Sequence, residues 1–151
     1  MLKRLRSQQG IGLLELMLSL AIIAILLIMA TRYYNVAYQS EKVNEGAAQI
    51  NNLVGALANW KADQPNYSNL VSSTSSDAIT TLSDRGLVTS QTASKTNPWG
   101  TSISLTVDTS GNFVTFEQTI PKTACLSLAD KFASYSATCD SSSGKFSMKI
   151  Q

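Results

Sequence analysis

The chain contains no histidine and only two cysteines, and these scarcities argue against several kinds of active site. Histidine is the commonest general base and the commonest metal ligand, and its absence removes the usual candidate for each role. Cys125 and Cys139 do not have the C-x-x-C spacing of a redox or metal pair. No G-x-S-x-G element and no recognisable pair of catalytic carboxylates occurs. The sequence therefore predicts a non-enzymatic protein without a metal or cofactor.

The chain also lacks a strong charge of either sign. Its formal net charge is +2, with 12 basic and 10 acidic residues. Without Lys3, Arg4 and Arg6 the balance becomes 9 basic against 10 acidic residues, or −1. We therefore expect no direct binding to nucleic acid.

One long apolar run stands out against this background. The twenty residues from Ile11 to Ala30 include only two polar side chains, those of Glu15 and Ser19. As a helix the run would be about 30 Å long, which matches the hydrocarbon core of a bilayer. The basic residues at positions 3, 4 and 6 precede it, and such residues stay on the cytoplasmic side. We expect a single membrane span with a cytoplasmic N-terminus.

A secretory signal peptide is the competing interpretation of this N-terminus. The apolar region of a signal peptide is normally about 7–15 residues long, and this run is longer. The tripeptide Ile28-Met29-Ala30 is also a poor cleavage site for signal peptidase. The sequence therefore favours a retained membrane span over a removed signal.

Glu15 makes the run more specific than an anchor. A carboxylate inside a membrane helix costs about 2.5–3.5 kcal/mol on insertion scales, so it is seldom there without a partner. Cleavage after Gly10 would supply one, because the new amino group of Ile11 is a cation. Glu15 would then lie near the positive end of the helix dipole. Alternatively, Glu15 lies close enough to the membrane surface to reach water.

The leader reads K-R-L-R-S-Q-Q-G and is followed by I-G-L-L-E-L-M-L. This pattern resembles the N-terminus of type IV prepilins. The resemblance implies cleavage between Gly10 and Ile11 by a prepilin peptidase, methylation of the Ile11 amine, and a role for Glu15 in subunit docking. It also implies a membrane assembly platform and an ATPase as partners. The protein would lie in the bacterial inner membrane before assembly and in an extracellular pilus afterwards.

The apolar pattern continues beyond Ala30 with a helical period. Val43, Ala47, Ile50, Val54 and Leu57 recur at steps of three and four residues, with Leu53 and Trp60 on the flank. No proline occurs from position 11 to position 64. We expect one helix over residues 11–63, ending near Lys61 and following a leader of residues 1–10.

Residues 64–151 are expected to form a globular head. Alternating polar and apolar residues predict strands from Ser102 to Val107, from Phe113 to Ile120 and around Phe146–Ile150. A short helix is expected from Asp77 to Arg85 and another from Lys122 to Tyr135, with a loop over residues 87–96. Three strands against the amphipathic half of the long helix give an α+β fold.

Two local features of the head have structural interpretations. The N-P-W-G turn at residues 97–100 is expected to bury the ring of Trp99. Cys125 and Cys139 lie 14 residues apart in a part of the chain expected outside the cytoplasm, so they should form a disulfide. Closing that loop adds about 3 kcal/mol in the chain-entropy model.

The second half of the chain contains the segments N-P-W-G-T-S-I-S-L-T-V, G-N-F-V-T-F and I-P-K-T-A-C-L-S-L-A. In these segments it is similar to the major pilins of thin conjugative and bundle-forming pili, the type IVb group. The resemblance implies a helical homopolymer used in adhesion, aggregation or conjugative DNA transfer. Two alternatives stay open: a type II secretion pseudopilin or minor pilin, since P-W-G also occurs in major pseudopilins, and a membrane-anchored periplasmic enzyme or receptor.

Overall fold

The computed structural model describes residues 12–71 and 77–151. The chain divides into two compact units, Met1–Tyr38 and Gln39–Gln151. Helix α1, Leu13–Asp63, continues from the first unit into the second. The other elements all belong to the second unit and follow in the order α2 Ala78–Asp84, α3 Ser90–Ala93, β1 Ile103–Val107, β2 Val114–Thr119, α4 Lys122–Lys131, β3 Thr138–Asp140 and β4 Lys145–Ile150. The predicted α+β fold, a long N-terminal helix packed on a small antiparallel sheet, is confirmed.

The second half of α1 presents a buried stripe to the head. Gly46, Gln49, Ile50, Leu53, Ala56, Leu57 and Trp60 are its buried residues. Leu53 and Trp60, predicted on the flank, are fully buried, whereas Val54 is only half-buried. The stripe is therefore rotated slightly from the predicted one, so that the large side chains of Leu53 and Trp60 join the core of the head.

The sheet is fully antiparallel with strand order β1-β2-β4-β3. Alternate residues of β1, β2 and β4 point into the core, as in the register pair Phe116 and Met148. Strand β3 was missed by the sequence analysis, which expected three strands. It is only three residues long, too short to show an alternating pattern, and pairs with β4 through Cys139 and Phe146.

One short helix agrees with the sequence prediction and another does not. Helix α2 lies within the expected 77–85 segment, and the carboxylate of Asp77 caps it by accepting the backbone N–H of Ile79 at 3.1 Å. Helix α3 lies in a segment expected to be a loop. Its single turn is capped by the Thr89 hydroxyl, which accepts the N–H of Thr92, and a turn this short leaves no helical periodicity in the sequence.

Helix α4 is shorter than predicted. It ends at Lys131, and a separate 3-10 turn, Ala133–Tyr135, follows. Ser136 then adopts a left-handed conformation with φ of 50°, which turns the chain into β3. The structure contains a disulfide between Cys125 in α4 and Cys139 in β3, with a Cα–Cα distance of 5.7 Å. This crosslink holds α4 against the edge strand of the sheet.

The N-P-W-G segment is a hydrogen-bonded turn organised by Asn97. The Gly100 N–H donates to the Asn97 carbonyl at 2.9 Å, and Gly100 has φ of 84°. The Asn97 side chain is buried and accepts the N–H groups of Trp99 and Thr101 at 3.0 Å each. Its amide donates to the side chains of Thr101 at 2.7 Å and Gln118 at 3.2 Å. Asn97 therefore ties the turn to strand β2.

Trp99 packs against α1 at a glycine. A Cβ atom placed on Gly46 would lie 2.9 Å from the indole Cζ3 of Trp99 and 3.1 Å from its Cη2. The absence of a side chain at Gly46 thus permits the close approach of the ring to the helix. Nearby, the Gln49 amide donates to the Thr96 carbonyl at 2.9 Å. Two consecutive turns of α1 therefore position the segment that contains the N-P-W-G turn.

Candidate functional site

The candidate site is the apolar surface of residues 12–38, the described part of the first unit. Between Leu13 and Met29, thirteen large apolar side chains are 50–79% exposed. They surround the helix, so this half of α1 lacks the polar face expected of a helix that meets water. Its most apolar 18-residue window has a mean hydropathy of 2.8, and α1 is long and apolar enough to cross a bilayer.

The hydroxyl groups of this segment bond to the helix itself. The Ser19 hydroxyl donates to the Leu16 carbonyl at 2.9 Å, and the Thr31 hydroxyl donates to the Ile28 carbonyl at 3.0 Å. Such bonds allow a polar side chain to lie in lipid or in an apolar helix bundle without losing hydrogen bonding. Neither residue therefore requires an external partner.

Glu15 differs from these hydroxyl residues. It lies in the first turn of α1 and is exposed, and its carboxylate makes no hydrogen bond or ion pair to the described residues. The first-turn position is electrostatically favourable, because the free N–H groups at a helix N-terminus attract an anion. The geometry leaves both carboxylate oxygens available to a cation from outside the described chain.

The outer end of the segment carries aromatic side chains and one cation. Tyr33 and Tyr34 are 78% and 68% exposed. The rings of Tyr34 and Tyr38 stack at 6.1 Å between centroids with an 8° interplanar angle. Arg32 lies beside them and is also exposed. This arrangement suits a membrane–water interface, where tyrosine and arginine place apolar atoms inward and polar atoms toward water.

The head offers no comparable chemical site among its described residues. No group of three or more acidic, histidine or cysteine side chains is placed to hold a metal ion in residues 12–71 and 77–151. A groove of about 280 Å³ lies between α1 and α4, and Lys131 Nζ donates to Asn44 Oδ1 at 2.9 Å beside it. Lys131 is also part of its lining, but the Ser127 hydroxyl donates to the Thr123 carbonyl, so the Lys131 and Ser127 side chains are not hydrogen-bonded as a nucleophile and a base.

Two surface carboxylates have shifted pKa values for a structural reason. The hydroxyl groups of Ser142 and Ser143 each donate to the Asp140 carboxylate at 2.6 Å, and the N–H of Ser142 donates at 2.9 Å. These bonds hold the pKa of Asp140 far below its ordinary value. Hydrogen bonds from Ser110 likewise lower the pKa of Asp108. Both carboxylates close hairpin turns, which explains their bonding without a catalytic role.

The residues singled out in the sequence fall into separate places. Gly10 and Ile11 lie outside the described residues. Glu15 lies in the first unit, and the Cys125–Cys139 disulfide lies in the second, where it is structural. The structure adds the partners of two residues: Gln118 for the side chain of Asn97, and the Trp99 ring for Gly46. The N-P-W-G motif is a signal for Asn97, whereas nothing local to Gly46 marks it as the contact of Trp99.

Comparisons with known proteins bear on the N-terminal segment. Residues 5–31 match the family model of the prokaryotic N-terminal methylation motif. No curated protein and no solved structure matched the chain significantly. The matched residues contain Gly10, Ile11 and Glu15 together with the whole apolar run from Ile11 to Ala30. The match supports a prepilin of the type IV pilin or pseudopilin kind, anchored in the inner membrane by its apolar helix before assembly.

Proposed function

We propose that the protein is the major structural subunit of a type IVb-like pilus. The observation that carries the proposal is the exposed apolar half of α1, joined to a methylation motif and followed by a complete folded head. In the membrane, lipid covers the apolar side chains. In the fibre, the same helices of neighbouring copies cover them, and the heads face water.

Exposing the apolar side chains of α1 to water is too unfavourable for a subunit outside the membrane, so they must be covered. Burying one large apolar side chain contributes about 1.5–3 kcal/mol, so leaving thirteen half-exposed in water would cost on the order of 10 kcal/mol or more. Contacts with the head do not offset that cost, because the core of the head contains none of residues 12–38. Subunits therefore leave the membrane only as the growing helix bundle receives them.

Processing prepares the chain for this transfer. A prepilin peptidase would remove residues 1–10 between Gly10 and Ile11 and methylate the new amine. The cation created at Ile11 would neutralise Glu15, of the same copy or of a neighbour. Because Glu15 occupies the first turn of α1 and is exposed, its carboxylate is accessible to an amine at that end of the helix. An assembly platform and an ATPase would then drive extrusion.

The type IVb assignment rests on the head sequence and its geometry. The turn at Asn97, the hairpin β1–β2 and a cysteine near the start of α4 follow one another as they do in that group. A pseudopilin or minor pilin is the second candidate, favoured by the same turn, which contains the half-buried Trp99. A major pilin is abundant in the surface fibre and a pseudopilin or minor pilin is not, although both are processed in the same way.

The proposal is tested by mass spectrometry and N-terminal sequencing of protein recovered from sheared surface fibres. We expect an abundant chain that starts at N-methylated Ile11 and is two hydrogen atoms lighter because of the disulfide. A chain that retains Met1, or that starts after Ala30, would contradict the prepilin assignment. A correct Ile11 start confined to the membrane fraction would favour the pseudopilin.

A further inference from the structure

Two charges lie on the helical segment 12–38, and neither has a partner there. Glu15 and Arg32 are the only charged residues of this segment. Both are exposed, and neither forms an ion pair with the described residues. The segment is thus neutral overall but carries one isolated anion and one isolated cation.

Helix geometry prevents an ion pair within one copy. Helical ion pairs form between residues three or four positions apart. Arg32 has Ile28, Met29, Asn35 and Val36 at those positions, and none of them is acidic. Glu15 and Arg32 are 17 positions apart, about 25 Å along the axis, which is far beyond the reach of both side chains. Glu15 and Arg32 of one copy therefore cannot pair with each other.

Before assembly, the membrane surface provides polar partners for the Arg32 side chain. At the outer end of the apolar run its guanidinium reaches water and phosphate groups, as arginine does at an interface. A bundle of copies removes that environment, because neighbouring apolar helices replace the lipid around residues 12–38. A charge buried without a partner is strongly destabilising, so bundling selects an arrangement in which the two charges meet.

Resting on the proposed function, we propose that Arg32 of one copy pairs with Glu15 of a second, parallel copy displaced by 17 residues along the helix axis. The guanidinium can bind a carboxylate through two parallel hydrogen bonds, which also fixes orientation. The pair therefore sets the axial register of neighbouring subunits at about 25 Å. Glu15 has two oxygens, so it can accept from Arg32 and from the Ile11 amine together.

A charge series tests the pair through the yield of sheared fibres. Arg32→Gln is expected to lower the yield about tenfold or more, because it leaves Glu15 buried without this cation, whereas Arg32→Lys retains most of it. Asn35→Ala is the matched control, a polar-to-apolar change one turn away that should leave the yield unchanged. Wild-type yield from Arg32→Gln would overturn the pair while leaving the proposed function intact. Failure of the wild type to form fibres would instead refute the function itself.

Disulfide crosslinking tests the register directly. Ser19 and Val36 lie one turn beyond Glu15 and Arg32 on the same helix faces, so they have the same 17-residue offset. In oxidised fibres of the double variant Ser19→Cys/Val36→Cys we expect a ladder of linked subunits. Each single variant should give no ladder. Fibres of the double variant that remain unlinked, or single variants that link equally well, would overturn the proposed register.

Discussion

The two halves of α1 use similar residues for opposite purposes. Leu26, in the first unit, is 60% exposed, whereas Leu57, on the same helix but in the second unit, is fully buried. One face of the second half of the helix packs into the core of the head, whereas its other face is exposed. The large apolar side chains of the first half are exposed. The head is therefore stabilised by contacts within its own chain. The apolar surface of residues 12–38 instead needs lipid or other copies of the chain to cover it.

This difference separates two kinds of mutational effect. Substitutions in the head should change the free energy of unfolding of an isolated subunit. Substitutions in residues 12–38 should change assembly and leave the head as stable as before. Both tryptophans of the chain, Trp60 and Trp99, belong to the second unit. Tryptophan fluorescence of the full chain in detergent micelles thus reports unfolding of the head alone.

The largest contrast is expected between Leu57→Ala and Leu26→Ala. Truncating buried Leu57 removes core contacts and leaves a cavity, so it should destabilise the head by about 2–5 kcal/mol in urea titrations. Leu26→Ala deletes the same atoms from an exposed position, and its unfolding midpoint should equal that of the wild type. Similar destabilisation by both variants would show that the first half of α1 supports the head, contrary to this account.

The disulfide is expected to have the next largest effect. Replacing both cysteines in Cys125→Ala/Cys139→Ala should lower the stability of the head by about 3 kcal/mol, because the unfolded chain regains the freedom of a 14-residue loop. Wild-type protein unfolded in a reducing buffer provides the control and should behave like the double variant. A variant as stable as oxidised wild type would contradict a structural role for the crosslink.

Two glycines of α1 provide a sharper comparison. Gly46→Ala should destabilise the head by about 1–3 kcal/mol, since its methyl group would lie 2.9 Å from the Trp99 ring. Gly55 is exposed, and a methyl group there would meet no neighbouring element within 4 Å. Gly55→Ala should therefore stabilise the head, by up to about 1 kcal/mol, through helix propensity. Equal responses at both positions would refute the Trp99 contact.

The smallest expected effect is a pH dependence from Asp140. Its pKa is lower in the folded chain than in the unfolded chain, so the ionised carboxylate stabilises the head above the unfolded value of about 4. That contribution is lost as the pH falls from about 4 through the folded value. Asp140→Asn should remove this part of the acid destabilisation. We expect the two stability curves to differ at pH 7 and to converge at low pH.

Serine variants check the cause of that pH dependence. Ser142→Ala removes one of the hydroxyl donors to Asp140, so it should reduce the acid-dependent part of the stability in the same direction. An acid response unchanged in both Asp140→Asn and Ser142→Ala would show that other carboxylates govern it. Because Asp140 lies at the surface, solvent screening keeps the effect small.

The parts of the fold that the sequence predicts correctly are those with a local signal. The apolar run, the helical period after Val43 and the alternation in β1, β2 and β4 each span at least five residues. Strand β3 and helix α3 contain only three and four residues, so no period is visible in them. Their existence depends on partners elsewhere: β3 on its pairing with β4, and α3 on the Thr89 cap.

The functional residues also differ in whether a local sequence signal predicts them. Glu15 stands out in the sequence because a carboxylate in an apolar run is unusual whatever the fold. The contact between Gly46 and Trp99 spans more than fifty positions, and a glycine in a helix gives no indication of which ring approaches it. The shape of Asn97's network likewise depends on Gln118 from another strand. Local sequence patterns do not predict long-range contacts of this kind.

In the proposed fibre, copies of the chain cover residues 12–38. Labelling of Leu26→Cys by a water-soluble maleimide, in intact fibres and again after detergent dissociation, measures this cover directly. We expect protection in the fibre and rapid labelling of the dissociated subunit. Equally rapid labelling in both states would show that this surface faces water in the fibre and would refute the proposed helix bundle.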